Sequence, residues 1–209
     1  RKRPLWKKRH LWNKLMVGMN IFNLVCIALG KKNGYAPIVA KCIYAYIDYY
    51  VIPTLLRGGS IYLPKIGILH SKKMKSRYGY DVFTKQYKNF PPRRGVKFSA
   101  SKKLKDAINE DTGYKSSSKG VTIDVIFEIA ERFELDIVSV KNIFVEWGNV
   151  LFLVLLHKER LVLPNIGTLY IKNHSAKRVM NVVKHEVMYM QERAVVNITI
   201  KTDLKKKLN

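Results

Sequence analysis

The chain has 209 residues, 47% of them hydrophobic, which is room for one large or two small domains around a packed core. Its 39 Lys and Arg outnumber 15 Asp and Glu, giving a net charge of +24 and an isoelectric point near 10.0, so a polyanion is the expected partner and nucleic acid the first candidate. No Gly-rich phosphate loop, nucleophile elbow or paired catalytic acid occurs, and neither the two cysteines nor the five histidines fall at metal-ligand spacing, which argues against an enzyme, a cofactor, a small-molecule substrate and a metal site.

Residues 1–19 read as a basic tail. The first fourteen residues hold seven Lys and Arg together with Trp6 and Trp12, which suits phosphate contact, with the tryptophans as anchors for a protein partner in the alternative. The stretch superficially resembles a secretion leader, but no small-residue cleavage site follows it and Asn20 and Asn23 interrupt the apolar run. Helices are predicted over 21–30 and 37–56, the second from apolar Ile43, Ile47, Tyr50 and Val51 at three- and four-residue spacing. Pro37 suits a first helical turn, whereas Pro53 predicts a kink or an early helix end before Arg57-Gly58-Gly59.

A strand over 61–63, a tight turn with Gly67, a second strand, a long basic excursion, a returning strand over 96–98 and a short helix over 101–109 complete this stretch. Residues 110–121 read as a flexible linker, with EDTGYKSSSKG at 110–120. Beyond it, helices are predicted over 123–133 and 138–156, hairpin strands over 161–163 and 168–171, a return strand over 195–200 and a last helix over 202–208. Cys26 and Cys42 fall in the apolar helices and read as small buried hydrophobes in a reducing compartment. The longest apolar runs, 21–29 and 150–156, fall short of the about 20 residues that span a bilayer, so no transmembrane helix and no membrane partner are predicted.

The chain repeats itself at an offset of one hundred residues. IYLPKIGIL at 61–69 lies over LVLPNIGTL at 161–169, and in the same register Val96, Phe98, Leu104, Lys105 and Asn109 lie over Val196, Ile198, Leu204, Lys205 and Asn209. The expected fold class is α+β, two tandem units each in the order ααβββα, over 20–109 and 122–209. Charge divides unevenly between them: residues 1–109 carry 24 Lys and Arg against Asp48, Asp81 and Asp106 alone, while residues 110–209 carry 15 against 12 acids.

YLPKIGIL, RYGYDVFT at 77–84 and VKFSASKKLKDAIN at 96–109 together resemble the hairpin, the arm tip and the closing strand and helix of the HU and integration host factor family of DNA-bending proteins. The resemblance implies two units joined as a pseudo-dimer, each with a β-ribbon arm that reaches around double-stranded DNA and wedges an apolar residue into the minor groove. Arg77, Gly79 and Thr84 match the family's tip motif, Val82 stands where the family has its intercalating Pro, and Tyr80 and Asp81 stand where it has Arg and Asn, which puts a negative charge at the tip. The first arm also carries Lys72, Lys73, Lys75, Lys85, Lys88, Arg93, Arg94 and Lys97 among aromatic residues, so these eight, with Arg77, Gly79, Val82 and Thr84, are the candidate nucleic-acid contacts.

The second arm, NHSAKRVMNVVKHEVMYMQERA at 173–194, has no Arg-x-Gly and no Pro. Its Val179, Met180, Val182, Val183, Val187 and Met188, with Val82 and Phe83 of the first tip, are candidate protein interfaces. Two functions follow. One is an architectural DNA-binding protein of the bacterial nucleoid with one working arm. The other is a virion subunit, similar to integration host factor-like proteins of tailed, crAss-like phages, that uses the fold to bind further protein subunits.

Overall fold

In a computed structural model the described residues are 20–109, 121–158, 160–181 and 186–209; the tail at 1–19, the linker at 110–120 and Val182 and Val183 lie outside them. The first half opens with α1 (Ile21–Ala28), whose Asn20 side chain accepts a hydrogen bond from the Phe22 amide at 3.2 Å and so caps the first turn. A 3₁₀ turn at Asn33–Tyr35 leads into α2 (Ala36–Tyr46), with Pro37 in its first turn.

Pro53 predicts a kink or an early helix end; the helical run that α2 begins does not end early and reaches Leu56. It runs through a π turn, Ile47–Val51, into α3 (Ile52–Leu56), and the Ile52 amide bonds to the Ile47 carbonyl five residues back. Proline lacks an amide hydrogen and its ring crowds the carbonyl four residues before it; widening the preceding turn accommodates both without breaking the helix. The second half has Leu153 at the corresponding position, and there α6 (Ile137–Lys158) is one α-helix of 22 residues after α5 (Ile123–Arg132).

Each half then builds a three-stranded antiparallel sheet. Strands β1 (Ser60–Leu63), β2 (Gly67–Met74) and β5 (Arg93–Ala100) lie in that order, followed by α4 (Lys102–Ile108). Strands β6 (Arg160–Leu163), β7 (Gly167–His174) and β10 (Arg193–Ile200), followed by α7 (Thr202–Leu208), repeat the arrangement. The registers agree at the hundred-residue offset: Leu63 pairs Gly67 and Met74 pairs Arg93, as Leu163 pairs Gly167 and His174 pairs Arg193.

The shared Pro-x-Ile-Gly turn explains why the motif recurs. Lys65 and Asn165 take left-handed backbone angles, and Gly67 and Gly167, at φ +152° and +153°, pass so close to the next strand that a Cβ would lie 2.2 Å from the Ser99 carbonyl oxygen or 2.1 Å from that of Thr199.

The halves share one core and exchange their C-terminal helices. Leu24, Val39, Ile43 and Leu55 of the first half and Trp147, Val150, Leu151 and Leu163 of the second belong to a single buried cluster. Helix α4 packs on β10 and α7 on β5. Asn109 closes the first exchange, its side chain accepting from the Ala194 amide at 2.7 Å and donating to the Ala194 carbonyl at 3.2 Å. Asn209 does the same with Arg94 at 2.8 and 3.1 Å, so an approximate twofold axis relates the halves.

Helix α6 corrects one expectation. It is long and apolar enough to cross a membrane by length and composition, because Lys141, Asn142, Glu146 and Asn149 interrupt its apolar runs without lowering its average greatly. Its Val140, Ile143, Phe144, Trp147, Val150, Leu151, Val154 and Leu155 are buried against the rest of the fold, the placement of a core helix.

Candidate nucleic-acid interface

Beyond Met74 and Arg93 the β2–β5 ladder stops, and two residues on each side, Lys75-Ser76 and Pro91-Pro92, intervene before pairing resumes between β3 (Arg77–Asp81) and β4 (Gln86–Phe90). The two prolines have no amide to donate to a ladder. The second half breaks at the same place, Ser175-Ala176 opposite Gln191-Glu192, before β8 (Lys177–Asn181) pairs β9 (Glu186–Met190), so the jointed arm belongs to both halves and does not require proline. The β-ribbon arm expected in each half is therefore a two-stranded sheet of its own, separated from the three-stranded sheet by this joint.

Alternation along β3 and β4 sorts the first arm into two faces. One carries Tyr78, Tyr80 and Tyr87, with Tyr78 stacked on Tyr87 at 5.7 Å and Tyr80 edge-on to Tyr87 at 5.3 Å. The other carries Arg77, Gly79, Asp81, Lys88 and Phe90. The Phe90 ring covers Gly79, and Arg77 and Lys88 each lie 5.4 Å from its centroid, where the ring face attracts cations.

The tip is a turn over Val82, Phe83, Thr84 and Lys85, with Lys85 left-handed. Asp81 does not present its charge outward. It is nearly buried, forms an ion pair with Lys88, and accepts the Phe83 amide at 3.0 Å. The Lys88 ammonium, followed by the Phe83 amide, holds the Asp81 carboxyl below its ordinary value. The negative charge expected at the tip is thus spent inside the hairpin, where it shapes the turn. Val82 and Phe83, 76% and 97% exposed, project beyond it, uncovered by the other described residues.

Among the other candidate contacts, Lys72, Lys73, Lys75, Arg77, Lys85, Arg93 and Lys97 are exposed along the arm and its root, as is Thr84 at the tip. Arg94 differs: half-buried, it donates from Nη1 to the Leu56 carbonyl at 2.8 Å, tying the end of α3 to the sheet. Lys88 is likewise engaged by Asp81.

The second arm exposes Met180, Val187, Met188 and Tyr189 and half-buries Val179. Tyr189 was absent from the sequence-derived interface, although it stands two residues from Val187 and so on the same face of the strand. Among the described residues no three His, Cys, Asp or Glu side chains converge on a metal position, and Cys26 and Cys42 are free and buried; burial pushes the Cys42 thiol up to about 11.

Comparison with known proteins returns one family. The model described as bacterial DNA-binding protein matches the chain twice, over residues 24–109 and 123–209, once in each structural half. No curated protein matches the chain.

Proposed function

Since the chain belongs to the family of bacterial DNA-binding proteins, whose members are non-enzymatic architectural proteins, we propose that it bends double-stranded DNA asymmetrically, with the first arm as its working arm. The observation that carries this reading is the tip: two uncovered apolar side chains, Val82 and Phe83, at the end of a ribbon whose only acid is already neutralised. An apolar wedge between base pairs costs roughly a few kcal/mol in unstacking, which phosphate contacts from the arm offset. Lys72, Lys73, Lys75, Arg77, Lys85, Arg93 and Lys97 supply those contacts, Gly79 and Thr84 shape the tip, and Arg94 and Lys88 position the arm more than they touch DNA. Each phosphate neutralised adds about 0.9 to the slope of log affinity against log salt. Neutralising Lys72, Lys73, Lys75 and Arg77 together is expected to weaken duplex binding and lower that slope by about 3 to 4; an unchanged slope in a gel-shift salt titration overturns the reading.

A second reading rests on the second arm. Its exposed Met180, Val187, Met188 and Tyr189 suit a protein surface, as in a subunit of a virion or another assembly, and this arm has Asn173, Ser175 and Met188 where the first has Lys73, Lys75 and Lys88. The two readings are compatible, one arm for each partner, in the nucleoid or in a particle near packaged DNA.

A further inference from the structure

The two halves meet through contacts that the approximate twofold relates in place but not in chemistry. The π turn of the first half offers three consecutive side chains to the second. Asp48 accepts the Asn165 amide at 2.9 Å, the Tyr49 ring lies 4.0 Å beneath the Arg132 guanidinium, and the Tyr50 hydroxyl donates to the Glu128 carboxylate. One hundred residues on, these positions are Gly148, Asn149 and Val150 in an unbroken α-helix. There Gly148 admits the Pro64 turn, since a Cβ would lie 2.8 Å from the Pro64 Cβ, and Asn149 accepts from Lys65 and donates to Glu146 at 3.0 Å.

We propose that the π turn is a pairing key, an interaction surface built to take the second half and to disfavour the same half of another copy. Were two first halves to pair, Tyr50 would meet Ala28 in place of Glu128 and Tyr49 would meet Lys32 in place of Arg132. Asp48 would gain Lys65, the one contact that improves. Against it stands charge: residues 20–109 hold 17 Lys and Arg and three acids, so such a pair would join two bodies of +14 each. Were two second halves to pair, Glu146 would lose the Lys65 neighbour for Asn165, and Trp147 would lose the edge-on Tyr46 ring at 5.9 Å for Glu146. Both like-with-like pairings lose polar contacts that the observed pairing makes. Every DNA-binding body built from this chain then has one strongly cationic side and one nearly neutral side, whether the halves pair within a chain or exchange between chains.

The test keeps the full chain and cuts it after folding. With a protease site placed in residues 110–120, the cut protein is mixed with a copy carrying an isotope label in its first half, allowed to exchange in mild denaturant, and weighed by native mass spectrometry. Only complexes of one first half with one second half are expected; complexes joining labelled to unlabelled first halves overturn the proposal. In the variant E128A/R132A the ratio of mixed to like-with-like complexes is expected to fall about tenfold, as losing about 1.4 kcal/mol of preference would require. An unchanged ratio would remove the π turn from the mechanism.

Discussion

At the scale of single residues, the tip of the first arm turns on how Asp81 is used. A carboxylate beside DNA repels phosphates, but here the Lys88 ammonium and the Phe83 amide absorb its charge and make it the organiser of the turn that projects Val82 and Phe83. The tip's apolar pair and the arm's cations therefore have separable effects. In the variant V82S/F83S, DNA bending measured by end-to-end energy transfer is expected to fall markedly and affinity by about tenfold, the scale of about 1.4 kcal/mol. The salt slope is expected to stay unchanged, because no cation is removed. Retained bending would assign these side chains to a protein partner.

Sequence comparison located the tip, because Arg77, Gly79 and Thr84 keep the motif's spacing. It did not reveal the direction of the Asp81 side chain, since that depends on the cross-strand neighbour of Gly79 being Lys88.

Among elements, the π turn is one place where the halves differ, since the second half is plain α-helix there. Its Tyr50 hydroxyl is raised to about 12, first by burial and then by the carboxylate of Glu128, against an ordinary value of 10.0. A group whose folded value lies above its unfolded one contributes stability that is complete below the unfolded value and lost as pH rises through the folded one. For Tyr50 that window runs from pH 10.0 to about 12, and for the Cys42 thiol from 9.0 to about 11. The variant Y50F is expected to be less sensitive to alkali than the parent between pH 10 and about 12 in denaturant melts, a window read from the same shift. Equal sensitivity would mean that Tyr50 ionises as freely in the folded protein as in the unfolded chain. Pro53 signalled an irregularity in this helix, but kink, termination and π turn are all responses to a missing amide, and the contacts with the second half accompany the third.

For the molecule as a whole, fusion permits one body to carry two unlike arms. A dimer of identical chains must present the same tip twice, whereas here the exposed Val82 and Phe83 face the world on one ribbon and Met180, Val187 and Tyr189 on the other. Replacing Met180 and Val187 with Asp is expected to leave duplex affinity within about twofold, a shift well under the 1.4 kcal/mol that separates tenfold changes. The same variant is expected to lose higher-order association in light scattering. If DNA binding fails and association persists, the division of labour between the arms is wrong.

What the amino-acid order determined by itself was the repeat, the α+β unit and the place of each arm. These rest on local rules: a Pro-x-Ile-Gly turn that only a left-handed residue and a glycine can make, apolar periodicities, and an offset of one hundred shared by Asn109 and Asn209. Only the tertiary structure decided that these two asparagines lock each half's last helix onto the other half, that Arg94 serves Leu56 and that α6 is a core helix. The physical reason is the same in each case. A side chain's role is set by the neighbour it meets across the fold: Arg94 and Leu56 meet across 38 positions within one half, and the partners of the two asparagines, 85 and 115 positions away, become neighbours only when the halves close on each other.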